Sequence, residues 1–210
     1  MFQLISGASI PDTSALHEGY TAQTNRLIAN VSAEHILPVF DSFLSQARDT
    51  EQLFLFLEVP CRKDEELSLN CIDIRQPDRL RTLHRNVWYL DGITKVPLQQ
   101  MLHSDAGEVL IHDGLTCFGI GSLETHDEIG KYKYNIMQAF AYEKKPMELA
   151  SVFDRLGILY CLSLTTAWDV FSDENPSSST TFEYRGRTVY DLIEDLQELG
   201  LYKAETREEN

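Results

Sequence analysis

Hydrophobic and polar positions along this chain follow two different periods, and the switches between them predict both helices and strands. Ile36, Val39, Phe40, Phe43 and Leu44 recur at helical spacing behind Ser32, a good N-cap residue, so a helix is expected over residues 33–47. Pro38 should then sit near its first turn, where a missing N–H costs little. The unbroken apolar run Leu53-Phe54-Leu55-Phe56-Leu57-Glu58-Val59, stopped by Pro60, predicts a central strand covered on both faces. Residues 62–85 turn polar and read as a long connection, with Leu69, Ile72 and Ile74 the only hint of a short strand. A strand over 87–90 and a helix over 93–103 follow. A strand over 108–112 then turns at Asp113-Gly114 into a hairpin partner over 116–120.

In the second half, Tyr132, Tyr134, Ile136, Gln138, Phe140 and Tyr142 fall on one face of an alternating run, which predicts an exposed antiparallel strand over 132–142 with Lys131 and Lys133 on its other face. Met147, Leu149, Ala150, Phe153 and Leu156 outline an amphipathic helix stopped by Gly157. Residues 165–172, with Trp168 and Phe171, fit helix or strand, and a serine-rich loop leads to a brief strand at 182–184 turned by Gly186. Thr188 caps a last helix whose buried stripe is Tyr190, Ile193 and Leu196, joined by Leu192 or Leu199, and Gly200 ends it. Helices and strands without regular alternation place the chain in the α+β class, with a largely antiparallel central sheet and helices packed on it. The expected division is an N-terminal helical segment over 1–50, an α+β core over 51–204, and an acidic tail over 205–210 lying loose in solvent.

Composition narrows the function classes. With 43% hydrophobic residues, 210 residues suffice for a real core. A net charge of −15 disfavours nucleic acid and anionic membranes as partners and suits a basic partner protein, although an acidic surface also serves solubility. No stretch approaches the roughly 18 apolar residues that span a bilayer, and the opening residues lack a signal-peptide pattern, so a cytoplasmic location is expected. The four cysteines, Cys61, Cys71, Cys117 and Cys161, are dispersed without a C-x-x-C pair. They are expected as reduced thiols, with no zinc site and no cofactor. Cys117 and Cys161 sit in apolar surroundings and read as small hydrophobes.

Two His-Asp pairs, His112-Asp113 and His126-Asp127, are the chief candidates for chemistry, with Glu124 and Glu128 beside the second. Imidazole and carboxylate together bind divalent metals or move protons, so a metal-dependent hydrolase using His112, His126, Asp127 and Glu128 is one reading. Consecutive strand residues point to opposite faces, however, so the groups could converge only across pairs. The plainer expectation is turn chemistry at Asp113-Gly114 and an exposed acidic loop at 126–128. Gly119-Ile120-Gly121-Ser122 lacks the G-x-S-x-G frame, and Glu124 stands where a phosphate loop needs its third glycine. The glycines read instead as a bulge or a close backbone approach. Trp88 and Trp168 are expected in the core. The strand carrying Tyr132 and Tyr134 could present a recognition surface or pair two copies as a homodimer. Asp191, Glu194, Asp195 and Glu198 give the last helix an acidic stripe suited to a basic groove.

The segments Tyr89-Leu90-Asp91-Gly92, His112-Asp113-Gly114-Leu115, Phe118-Gly119-Ile120-Gly121, 127–134 and 166–171 together resemble small acidic bacterial proteins of the toxin-immunity type. The resemblance spans roughly residues 54–202 and contains no catalytic signature. It implies a compact, non-catalytic factor that acts by binding another protein, in an immunity or regulatory role.

Overall fold

The computed structural model describes residues 2–69, 83–142, 145–174 and 176–209. Its strands are β1 (Ala8–Ser9), β2 (Gly19–Ala22), β3 (Arg26–Asn30), β4 (Leu53–Pro60), β5 (His84–Ile93), β6 (Cys117–Ser122), β7 (Glu128–Lys131), β8 (Ile136–Phe140), β9 (Ser178–Ser179) and β10 (Tyr202–Glu208). Its helices are α1 (Ala33–Leu44), α2 (Lys63–Leu69), α3 (Lys95–Leu102), α4 (Asp105–His112), α5 (Ser151–Asp154) and α6 (Val189–Glu198). Eight strands form one antiparallel sheet in the order β10-β5-β4-β6-β7-β8-β3-β2, and β1 pairs with β9 apart from it. The protein is therefore an α+β fold, as its mixed periodicities predict.

The period-2 pattern of β4 divides the sheet into two faces. Leu53, Leu55, Leu57 and Val59 point into the core shared with Ile36, Val39, Phe40 and Leu44 of α1, Leu98 of α3, Leu110 of α4 and Leu196 of α6. Phe40 stacks on Phe118 of β6 at 4.8 Å. α1 runs through Pro38 at its sixth residue rather than near its first turn. An interior proline costs about 3 kcal/mol, less than the burial of five large apolar side chains on the same helix returns at about 1.5–3 kcal/mol each. Ser32 does not cap α1: its hydroxyl accepts a hydrogen bond from Gln3 N–H, and Glu18 receives both Ser32 N–H and His35 Nδ1.

Phe54, Phe56 and Glu58 point to the opposite face, where register aligns Phe56 with Tyr89, Gly119, Gly130 and Gln138, and Phe54 with Gly121, Glu128 and Phe140. The glycines of β6 and β7 exist for these rings. A Cβ on Gly119 would lie 2.3 Å from Phe56 Cε1 and 2.5 Å from Ile129 O, and one on Gly121 would lie 2.3 Å from Phe54 Cζ. Gly119→Ala should destabilise the protein by about 1–3 kcal/mol in chemical denaturation, and Phe56→Leu in the same chain should recover part of the loss, because the collision is with that ring.

Several expected elements take another form. Residues 108–112 belong to helix α4: five residues of mixed apolar character fit either period, and Ser104, whose hydroxyl accepts Ala106 N–H, starts a helix there. The strands that pair with β6 are instead β4 and β7. The tyrosine run is broken by Tyr134 and Asn135, both left-handed at φ 58° and 62°, so only Ile136–Phe140 continues as strand β8. Residues 63–69 of the polar connection form α2, while Ile72, Ile74 and Cys71 lie outside the described residues. The first fifty residues are not a helical segment: besides α1 they supply β2 and β3 to the large sheet, because β3 hydrogen-bonds to β8. The 205–210 tail is not loose either. Most of it is edge strand β10, fixed on β5 by backbone bonds and by Tyr202 Oη donating to Asp91. No helix among the described residues is long and apolar enough to cross a membrane.

Candidate functional site

The face of the sheet opposite the helices carries the grouped chemistry. Phe54, Tyr89 and Tyr202 follow one another across three strands with ring centroids 6.1 and 6.4 Å apart, and Tyr132 packs beside Gly130. Four carboxylates on this face are engaged. Glu58 accepts from Arg207, Asp91 from Tyr202 Oη at 2.7 Å, Glu205 lies 3.9 Å from Arg207, and Glu209 accepts from Arg85 at 3.1 Å and from Lys133.

Glu128 is different. It stands between Gly121 and Phe140 in the register, half-buried, and its carboxyl makes no hydrogen bond or ion pair among the described residues. Burial, with the Glu58 charge second, pushes this carboxyl up to about 7. The neighbouring Tyr132 hydroxyl is pushed well above its ordinary range by burial and then by the same two carboxylates. The nearest cation along the cross-strand row, Arg26, is already committed to Gln138 at 2.8 Å, to Gln23, and to the Phe140 ring.

At the end of the sheet marked by Glu208, Pro60, Cys117, Lys131 and Asn30, this face meets a second layer of chain. Tyr134, Leu16, Ile10 and Ala167 form a small separate core, and Asn30 donates to Thr165 O and His17 O. Between that layer and the sheet lies a cavity of about 350 Å³ containing Glu58, Arg85, Cys117, Lys133, Arg207 and Trp168. Arg85 is 5% exposed, and its Nη2 donates to the backbone carbonyls of Glu58 and Leu115. Trp168, expected in the core, is 57% exposed at the rim and packs edge-on against Tyr134. Trp88 is half-buried, with no partner for its indole N–H among the described residues, beside a cavity of about 250 Å³ that also touches Arg62, Tyr190 and Glu194.

The sequence candidates scatter around this arrangement. Glu128 and Tyr132 lie on the open face. Glu124 pairs with Arg48 on the surface, and His126, left-handed at φ 57°, packs edge-on against Tyr142. Tyr134 is buried, and its hydroxyl receives a hydrogen bond from Ser177 at 2.7 Å. Asp127 is buried next to β7. The acidic stripe of α6 is largely spent inside the molecule: Asp191 accepts from Thr188 in a capping box, Glu194 pairs with Arg62, and Asp195 with Arg187. Only Glu198 projects without such a role.

His112 is not brought to His126. It ends α4, where Nδ1 accepts Ser6 N–H at 3.3 Å and lies 3.2 Å from Ser6 Oγ, Nε2 lies 3.8 Å from Glu108, and the ring packs on Phe182. Burial lowers its pKa. The nearby Gly7 and Gly114 N–H groups, which an acyl-transfer site would aim at an oxyanion, are already bonded to His112 O and Thr180 O. Among the described residues no group of three or more His, Cys, Asp or Glu side chains is placed to hold a metal ion, so the four-residue ligand set read from the sequence does not assemble. The side chains that do assemble, Arg85, Lys133, Arg207 and Glu209, carry no local signal in the sequence, since register alone unites them. No protein-family model matches this chain, and neither a curated protein nor a solved structure does.

Proposed function

We propose that this protein is a cytoplasmic, non-catalytic binding factor of immunity or regulatory type, and that it receives a basic partner protein on the open face of its sheet. The observation that carries the reading is Glu128, a half-buried carboxyl among aromatic rings that has no partner among the described residues, on a face where Glu58, Asp91, Glu205 and Glu209 are engaged. A lysine or arginine of the partner would complete it, gaining an ion pair and the faces of neighbouring rings. The net charge of −15 steers such a partner toward the molecule. The acidic stripe of α6, already paired within the chain, contributes to steering rather than docking.

Leaving a carboxyl unpaired here has a stability cost with a definite sign. Its folded pKa of about 7 exceeds the ordinary 4.5, so the folded state binds the extra proton between those values and loses stability as pH rises through them. Glu128→Gln should therefore be more stable than the parent at pH 8, by about 1–2 kcal/mol, with the advantage vanishing toward pH 4. Denaturation midpoints across that range check it.

Binding is tested by titrating the full chain with a lysine-rich peptide at low salt and following backbone amide resonances. Saturable shifts at Glu128, Tyr132 and Phe140 are expected, tightening from pH 6 to 8 and lost in Glu128→Gln. Reversing the charges of Asp191, Glu194, Asp195 and Glu198 should leave the shifted residues unchanged. Shifts confined to α6 would overturn the assignment of the face.

A further inference from the structure

The cavity beside Trp168 is built around a cation. Arg85 lies at its floor, 5% exposed, with one terminal nitrogen fixed by the carbonyls of Glu58 and Leu115 and its Nε 3.8 Å from the Glu58 carboxylate. The other terminal nitrogen points to the carboxylate of Glu209 at 3.1 Å, and Lys133 approaches the same carboxylate from the turn after β7. A guanidinium held by main-chain carbonyls of neighbouring segments is pre-organised, and its remaining terminal nitrogen meets an anion beside Lys133. Surface ion pairs of ordinary kind do not anchor an arginine at this depth.

The occupant comes from the edge of the sheet. Glu209 follows the exposed edge strand β10, whose register is interrupted between Lys203 and Glu205, and its backbone N–H bonds to Leu83 O at 2.7 Å. A carboxylate group fills a small part of a 350 Å³ cavity, which is in the range that takes small organic ligands. The rest of the lining is the exposed indole of Trp168, an apolar plate next to the charged floor, together with Glu58, Glu208, Arg207 and Cys117.

We infer that this cavity is a binding site for a small organic carboxylate, and that Glu209 is its internal occupant, displaced when the ligand's carboxylate takes the place between Arg85 and Lys133 while its apolar part lies on Trp168. The inference stands independently of the basic-partner reading, because it uses none of the groups around Glu128.

The test titrates the full chain and its Glu209→Gln variant with phenylacetate, and separately with inorganic phosphate, at constant ionic strength, following the Trp168 indole and backbone amide resonances. Phenylacetate should shift Trp168, Lys133 and Glu209 saturably in the parent. Glu209→Gln, which removes the competing charge, should tighten binding by about tenfold or more, and Lys133→Met should weaken it by a similar factor. Phosphate should bind at least about tenfold more weakly, since it lacks the apolar group that lies on Trp168. Absence of a saturable shift in both parent and Glu209→Gln overturns the site. Equal affinity in a folded Glu209→Gln overturns the role of Glu209 as occupant, and phosphate binding as tightly as phenylacetate overturns the carboxylate assignment. Should Glu209→Gln lose its dispersed spectrum, displacement of the Glu208 and Glu209 amides in the parent decides: movement with saturation upholds the exchange, and stationary signals overturn it.

Discussion

Asp113→Ala should cost about 3–5 kcal/mol of folding stability, the largest loss expected from a single side chain in this protein. Asp113 is wholly buried, and its carboxylate accepts three backbone N–H bonds: Leu115 at 2.9 Å and Thr116 at 2.8 Å on one oxygen, Phe182 at 2.9 Å on the other. It thereby joins the end of α4, the start of β6 and the loop that returns before α6. Beside it, Gly114 N–H bonds to Thr180 O and Thr180 N–H to Gly7 O, so the same point also ties in the first residues of the chain. Alanine would leave three buried donors without an acceptor. Asparagine keeps one oxygen of similar shape but presents an N–H₂ to a donor on the other side, so Asp113→Asn should lose less than alanine yet remain clearly destabilised. Urea denaturation of the two variants ranks them, and a loss under about 1 kcal/mol for alanine would contradict this account.

Lys131→Met should remove a pH dependence of up to about 3 kcal/mol. Register places Lys131 opposite Phe118 and Met137, facing the helices, and it is 0% exposed. Its ammonium donates to the carbonyls of Asp113 and Thr116, the latter at 3.2 Å, and so satisfies the turn that follows α4, where the negative end of the helix dipole favours a cation. Burial lowers its pKa from 10.5 to about 8, opposed in part by Cys117 and Asp113. Below pH 8 folded and unfolded chains both hold the proton, and burying the charge is a constant cost. Between pH 8 and about 10.5 only the unfolded chain holds it, so the contribution of Lys131 to stability rises with pH. The stability difference between parent and Lys131→Met should therefore grow in the parent's favour across that interval and stay flat from pH 6 to 7.5. A difference independent of pH would show the ammonium to be solvated.

Much of the fold was readable because burial follows a simple period where an element is long or uniformly apolar. α1, β4, β6 and α6 belong to this group, and the stop at Gly157 is a left-handed residue as a helix end requires. Short segments were not readable. Glu108-Val109-Leu110-Ile111-His112 suits strand and helix equally, and Tyr134-Asn135 breaks an alternation with two left-handed residues. Asn135 adopts that shape because its buried side chain bonds Ile5 N–H, Gln3 O and Val31 O, partners that no local pattern announces. The open face was half legible. Glu128 and Tyr132 stood out as residue types, but the reason Glu128 matters, its lack of a partner among aromatic neighbours, depends on which strands lie next to β7. Arg85, Lys133 and Glu209 meet through three strand registers and a turn, so their convergence exists only in the folded chain.

The place of β3 in the sheet also governs the order in which the chain can fold as it is made. β3 lies between β2 and β8, and Leu27 and Ala29 are wholly buried only when Ile136–Phe140 is alongside. At elongation rates of about 5–20 residues per second, the β2–β3 hairpin waits roughly 5–20 s for its partner strand to be synthesised. Throughout that interval it offers an apolar face and an unpaired edge, the kind of exposed surface that chaperones cover during translation.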